Sequence, residues 1–302
     1  MKITNKLGLP DMLKRAVEKE YVYRDKRYSI TSLLDPDRAL MLKRRHNEEI
    51  EQDVSECIFM LFGTITHYAL ETGITLEEGE YVEKHLEHTF DNGYTLSGII
   101  DHINNEFIDD YKTTSVWSVI YKSNYEHWKL QLQMGAYLWY KESGIWRDKG
   151  RIIAILKDWN KNDAKFKPDY PKLPVATIEF DLGTPEEIEA WIIKRFEEII
   201  KLEKLSDEKL PMCSYEERFN KGDKYAVKKK GGKVATKLHD TLEGAREHLA
   251  NLELKYPNVY EIETRKGEDT KCLNYCSCNN FCPYFKENYK IEIGEENGTS
   301  DN

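Results

Sequence analysis

The chain has 302 residues, 40% of them hydrophobic and 33% charged, with a formal net charge of −9. That balance fits a globular fold and argues against a protein that coats nucleic acid non-specifically. No apolar run approaches the roughly 20 residues of a membrane span, and Met1–Pro10 has no apolar core like that of a signal peptide. The expectation is a cytoplasmic protein with no membrane partner, whose six cysteines are thiols or metal ligands rather than disulfides.

In chain order, residues 1–50 read as an arm with short helices, one of them around Pro36 to His46. Asp53 and Ser55, both good capping types, start a long helix over 53–72. A strand meander follows: residues 80–90, a turn at Asp91-Asn92-Gly93, a strand over 94–103 and another over 107–112. A helix over about 125–142 ends near Gly144, and the apolar run Arg151 to Leu156 reads as a buried strand. Val175 to Leu182 is a further strand, and Thr184 caps a helix to about Leu205. Helix, three strands, helix, strand is the order of an α/β core with a mixed sheet.

Residues 213–265 change character. A lysine-rich hairpin around Gly231-Gly232 and a helix from Thr241 make a ββα insert too small to hold a large core alone. The chain thus divides into an arm and core over 1–212, the insert over 213–265, a cysteine-rich segment over 266–290 and a disordered tail over 291–302.

Asp101, Asp110 and Lys112 carry most of the chemistry. Alternation along a strand puts Asp110 and Lys112 on one face and sends Asp109 to the other. With Asn104-Asn105 as a two-residue turn, Asp101 falls opposite Ile108 and joins the same face. Two acids and a lysine converging beside the apolar Phe107-Ile108 can bind a hard divalent cation and act on a phosphodiester. Asp-x-Lys alone has no weight, since Asp163-Ala-Lys165 and Asp207-Glu-Lys209 repeat it. The plain alternative is a half-exposed hairpin whose Asp and Lys merely pair.

Gly63, His67 and Glu71 share one face of the preceding helix, where an imidazole suits a metal and Glu71 could orient it. In the following helix Gln133 and Tyr137 share a face and offer an amide and a phenol. Gln131 points elsewhere.

Gly-x-x-x-His-x-x-x-Glu, Gly-x-x-Asp, Asp-x-Lys and Gln-x-x-x-Tyr, in this order, resemble the RecB-type branch of the PD-(D/E)xK nuclease superfamily, above all its phage-encoded and CRISPR-associated exonucleases. The resemblance spans about residues 55–140 by motifs, and implies a restriction-endonuclease-like α/β core to about 205. It implies that His67, Asp101, Asp110 and the Tyr111 carbonyl bind Mg²⁺ or Mn²⁺. Lys112 would position the attacking water or stabilise the phosphate; at its ordinary pKa of about 10.4 it is a poor base. Glu71 would support the histidine, and Gln133 and Tyr137 would contact nucleic acid or brace the site.

Cys272, Cys276, Cys278 and Cys282-Pro283 crowd four thiols into eleven residues, which argues for a metal site; zinc and iron–sulfur are both open on spacing. The resemblance implies a 4Fe–4S cluster on three C-terminal cysteines and one far upstream. Cys272, Cys276 and Cys282 resemble that trio, although the first gap is one residue longer. The upstream position of the family has no cysteine here, and Cys57 lies inside the histidine helix. Cys213, at the opening of the insert, is the choice for the fourth ligand, with Cys278 the alternative.

Lys228, Lys229 and Lys230 are candidates to grip a DNA backbone. The resulting reading is a metal-dependent DNA exonuclease of recombination, repair or phage DNA processing. A structure-selective endonuclease is the alternative within the fold, and a non-catalytic nucleic-acid-binding protein stapled by zinc or iron–sulfur is the alternative outside it. No Walker-type loop occurs, so a helicase motor would come from a partner.

Overall fold

In the computed structural model, residues 1–18 and 24–289 are described; the expected tail over 291–302 lies outside them. The chain forms two compact units, one of residues 1–35 and 43–206, the other of residues 36–42 and 207 onward.

The first unit contains β1 (Lys2–Thr4), α1 (Asp11–Val17), β2 (Arg27–Ser29), α2 (Ile30–Leu33) and the end of α3 (Asp37–Arg45). It continues with β3 (Glu51–Asp53), α4 (Val54–Gly73), β4 (Tyr81–Thr89), β5 (Thr95–Ile103), β6 (Phe107–Thr114) and α5 (Val116–Ile120). It ends with α6 (Tyr125–Ser143), β7 (Lys149–Leu156), α7 (Lys161–Phe166), β8 (Val175–Asp181) and α8 (Pro185–Leu202). Local chemistry sets the helix ends. Asp53 caps α4 by accepting from Ser55 N–H, Gly144 ends α6 in the left-handed conformation at φ 73°, and Thr184 with Glu187 forms a capping box on α8.

The central sheet has six strands, β2-β5-β6-β7-β8 with β4 on β5. β6 and β7 are parallel, and β8 returns antiparallel to β7. α6 packs against β4 to β7 and against α8. Leu96, Ile103, Leu132, Met134, Ile152, Ile192 and Phe196 make a fully enclosed core there, each burial contributing about 1.5–3 kcal/mol.

One feature of the sheet positions the site. β4 pairs with β5 along Thr95–Ile103, leaving β5 a single free edge. That edge takes β2 over Thr95–Ser97 and β6 over His102–Ile103 only. Gly98 to Asp101 therefore face a gap where β5 and β6 part.

The second unit contains the start of α3, then β9 (Lys224–Lys229), β10 (Ala235–His239), α9 (Leu242–Glu253), β11 (Tyr260–Arg265), α10 (Thr270–Asn274) and α11 (Pro283–Asn288). The segment expected as ββα has a further strand. β11 pairs antiparallel with β9 and makes β9 the centre of a three-stranded sheet, with Ala226, Val227 and Ala245 enclosed beneath α9. Tyr260 and Ile262 alternate with Glu261 and Glu263, a period-2 pattern masked by the charged residues around it.

Candidate active site

The β5–β6 turn differs from the expected one. Ile103 pairs with Ile108 and Asn104 N–H donates to Phe107 O, so Asn105-Glu106 is the two-residue turn. The register moves by two residues, and Asp101 falls opposite Asp110 rather than Ile108. A shift of two preserves the face, so both carboxylates still point to one side. Asp109 points away and is buried between His102 Nδ1 (2.8 Å) and Arg151 Nε (2.7 Å), a structural ion pair.

Where the strands part, a side chain replaces the ladder. Asp101 Oδ2 accepts from Tyr111 N–H at 2.7 Å, and the Tyr111 carbonyl accepts from His67 Nε2 at 3.1 Å. Lys112 Nζ donates to Asp110 Oδ1 at 2.8 Å and lies 2.6 Å from Oδ2. Thr66 and Thr113 hydroxyls, 3.2 Å apart, fix α4 against β6 beside this point. His67, Asp101, Asp110 and Lys112 line one end of a cleft of about 690 Å³ that runs through the gap towards Arg27 and Ser29 of β2.

With Nε2–H donated to Tyr111, His67 Nδ1 faces Asp101 Oδ1 at 3.4 Å and Glu83 Oε1 at 3.7 Å. A lone pair set against two carboxylate oxygens is repulsive unless a proton or a cation lies among them. The Asp101 contact accordingly raises the His67 pKa, and burial raises those of Glu83 and Asp110. His67, Glu83 and Asp101 offer one donor atom each within 4.8 Å of one another, the one such group of three among the described residues. One imidazole and two carboxylates form a donor set suited to a divalent first-row ion.

Glu83 was not among the residues singled out from sequence. It stands opposite Asp101, between the paired Val82–His102 and Lys84–Ile100, in the left-handed conformation at φ 45°, which costs a residue with a Cβ roughly 1–2 kcal/mol. The available signal was the turn: Phe90 N–H bonds Tyr94 O around the three residues Asp91-Asn92-Gly93. That loop length sets the register that puts Glu83 on the Asp101 face, and a two-residue loop would have turned it away. Glu71 stays exposed on α4 and acts on Glu83 only through its charge.

On α6 the structure reverses the expected face. Gln133 Nε2 donates to Leu182 O at 3.0 Å, and the buried Tyr137 donates to Glu189 of α8 at 2.7 Å. Both brace α6 against α8 and the loop leading into it, and lie away from the carboxylates. Gln131 lines the cleft instead, nine-tenths buried, with Oε1 enclosed and unbonded. Residues two apart on a helix point in nearly opposite directions, so one face cannot carry both glutamines.

In the second unit, Cys213, Cys272, Cys276, Cys278 and Cys282 line one cavity with Arg38. Arg38 Nη1 lies 3.9 Å from Cys282 Sγ and its guanidinium holds the Leu210 and Pro211 carbonyls, just before Cys213. The buried Arg218–Asp269 pair, 3.1 Å apart, ties the Cys213 carbonyl to the start of α10. Burial pushes the Cys213 thiol up to about 11 and Cys272 to about 12, with Cys276 and Cys282 adding to both. Cys278 is almost wholly enclosed, 3.6 Å from Cys276 and 3.8 Å from Ala39 O. Cys57 is buried in the first unit, against Ile3 and Val54.

The three lysines of the hairpin are not equivalent. Lys228 turns towards β11 and is neutralised by Glu263 and by Glu261 at 3.6 Å. Lys230 reaches Asn258 at 3.4 Å, and Lys229 is exposed. The Lys228 charge is spent within the sheet, on a strand that the residue pattern had not revealed.

No protein-family model and no curated protein sequence matches the chain. Among solved structures, the chain is similar to SSO0001 at 20% identity, over 64% of this chain and 84% of that one, with a TM-score of 0.47. It is similar to a phage-related exonuclease of Haemophilus somnus 129PT at 13% identity, over 58% and 73%, with a TM-score of 0.28. It is also similar to an alkaline exonuclease, LHK-Exo, of Laribacter hongkongensis at 12% identity, over 59% and 92%, with a TM-score of 0.32. No helix among the described residues is long and apolar enough to cross a membrane.

Proposed function

We propose that the chain is a divalent-metal-dependent DNA nuclease, an exonuclease that hydrolyses phosphodiester bonds in recombination, repair or phage DNA processing. The observation that carries this reading is the convergence of His67, Asp101 and the Asp110–Lys112 pair, from three separate elements, on the gap between β5 and β6. Buried carboxylates gathered beside an imidazole are costly unless a cation compensates. They also sit in a cleft open to a substrate.

His67, Asp101 and Asp110 would hold Mg²⁺ or Mn²⁺, which supplies positive charge against the phosphate oxygens when bound; the Tyr111 carbonyl, expected as a further ligand, is taken up by His67 Nε2–H instead. The protein's own residues do the rest. Asp110 holds the Lys112 ammonium beside the carboxylates, where its remaining donors can meet a phosphate oxygen and stabilise the charge that grows on it. Asp101 fixes the Tyr111 backbone through its other oxygen, so the carbonyl and the histidine keep their places. Gln131 lines the cleft with its amide oxygen enclosed and unbonded.

The cysteines of the second unit support a 4Fe–4S cluster of structural role on Cys213, Cys272, Cys276 and Cys282. Cys276 and Cys282 act electrostatically on both Cys213 and Cys272. A tetrahedral zinc at about 2.3 Å from sulfur holds thiolates about 3.8 Å apart. No three cysteines meet within 4.8 Å among the described residues, whereas a four-iron cube spreads its ligands over separate corners.

The test is cleavage of end-labelled linear and circular, single- and double-stranded DNA with Mn²⁺, by the wild type and Asp110→Ala. Degradation of linear DNA by the wild type alone supports the reading. Equal activity in the variant would sink the assignment, and cleavage of circles would move the enzyme to the endonuclease class.

A further inference from the structure

We infer that Glu83 is a ligand of the catalytic divalent cation, held on His67 and Asp101 by a left-handed backbone that the fold keeps for that purpose; this deepens the nuclease reading of the same site and rests on it. Two independent unfavourable features meet at this residue. Its φ of 45° lies in a region that residues with a Cβ rarely adopt, inside a strand whose pairing continues on both sides. Its carboxylate also stands on the strand position opposite Asp101, and like charges directly opposed across two strands repel.

Among the described residues, nothing else in the site neutralises Glu83. The Lys112 ammonium is engaged by Asp110, and the charges of Asp101 and Glu71 both act against an ionised Glu83. The one group of opposite tendency is His67, whose Nδ1 is shared with Asp101. Glycine or asparagine at this position would relax the strain. A cation among Nδ1, Oε1 and Oδ1 removes both penalties at once, because it turns three mutually repelling donors into a ligand set. The nitrogen donor makes Mn²⁺ the apt probe.

The experiment is direct Mn²⁺ titration of the full chain, read by the electron paramagnetic resonance signal of free Mn²⁺, with thermal unfolding in parallel. Loss of groups that only orient metal ligands weakens affinity about 10–100-fold, so Glu83→Gln is expected to weaken Mn²⁺ by at least about 10-fold. Glu83→Gly removes the carboxylate and relaxes the backbone. Its metal-free midpoint should match or exceed the wild type's, while the rise on adding Mn²⁺ shrinks. Unchanged Mn²⁺ affinity in Glu83→Gln overturns the inference, and so does a Glu83→Gly protein that melts lower without metal yet binds Mn²⁺ normally. Cleavage by Asp110→Ala separates the two readings. If Asp110→Ala is inactive while Glu83→Gln binds and cleaves as wild type, only the role of Glu83 fails. If Mn²⁺ binding depends on Glu83 but no form cleaves DNA, the nuclease reading fails and the ligand stands.

Discussion

Asp101 and Tyr111 are tied across two strands that are no longer paired: the Tyr111 N–H reaches Asp101 Oδ2 at 2.7 Å, one residue beyond the last rung of the β5–β6 ladder. The bond lets a carboxylate stand in the gap without unravelling the edge of β6. Asp101→Asn keeps an oxygen for that bond and loses the charge. Cleavage should fall about 10²–10³-fold, the scale of removing one electrostatic contact from a reacting centre. The unfolding midpoint should move by only a few degrees, as a loss near 1 kcal/mol does in a domain of this size. A fall in cleavage matched by collapse of the fold would make Asp101 structural.

Protons compete for the same site. His67 holds its proton more tightly when folded because of the Asp101 contact, and Asp110 and Glu83 do so because of burial. All three are raised, so the folded chain binds more protons than the unfolded one across their range. The His67 contribution is fully present below its ordinary value of about 6.5 and is lost as pH rises through its higher folded value. The metal-free midpoint should therefore fall on going from about pH 6 to about pH 8. Saturating Mn²⁺ should blunt or reverse the trend, since its ligands bind deprotonated. His67→Ala should flatten the metal-free curve, and a midpoint that climbs with pH in the chelator-treated wild type would contradict the arrangement.

The two glutamines of α6 separate by their partners. Gln131→Ala should lower cleavage with little change in stability, because its amide oxygen has no bond to lose. Tyr137→Phe should leave cleavage unchanged and destabilise by about 1 kcal/mol, the usual worth of a buried hydroxyl's hydrogen bond, here to Glu189. Denaturant midpoints and initial cleavage rates on the same preparations read both effects.

How far the sequence led can be judged at these residues. Helix ends and strand spans were legible because they rest on local chemistry: Asp53, Gly144 and Thr184 act on their own neighbours. The shared face of Asp101 and Asp110 was also legible, since an error of two residues in the turn preserves parity. Glu83 was not, because its place depends on one loop length and a backbone angle that no pattern of residue types reveals. The α6 assignment failed for a different reason. Gln133 and Tyr137 share a face, but which face meets the sheet is decided by long-range packing, where Gly135 packs over Ile100 and Ile108. The partners of Lys228 were not legible either, because β11, the strand that holds its glutamates, was hidden by its own charges.

The hairpin lysines should divide accordingly. Lys229→Glu with Lys230→Glu should weaken DNA binding and reduce its salt dependence. Each lost phosphate contact takes about 0.9 from the slope of log affinity against log salt on duplex DNA. Lys228→Ala should leave binding near the wild type and instead loosen the three-stranded sheet, because Glu261 and Glu263 lose their shared partner. Binding titrations at several salt concentrations, with hydrogen exchange on β9 and β11, distinguish the cases. A full loss of DNA affinity on Lys228→Ala alone would mean that its ammonium leaves the glutamates for the nucleic acid.

The cysteines make the sharpest division between two residues of one cavity. Cys276 and Cys282 help raise the pKa of both Cys213 and Cys272, while Cys278 is enclosed, 3.8 Å from Ala39 O and 3.6 Å from Cys276. Protein purified without oxygen should carry iron and sulfide and show broad visible absorbance that fades on reduction. Cys213→Ser should lose most of that iron and melt lower, because the cluster closes the loop that includes the small β9–β11 sheet and a ligand lost is folding energy lost. Cys278→Ser should keep the iron and lose stability only through a polar group placed in an apolar enclosure, about 1–3 kcal/mol. The reverse outcome, with iron retained in Cys213→Ser and lost in Cys278→Ser, would assign the fourth position to Cys278. A colourless chain loaded with zinc would replace the cluster by a mononuclear site.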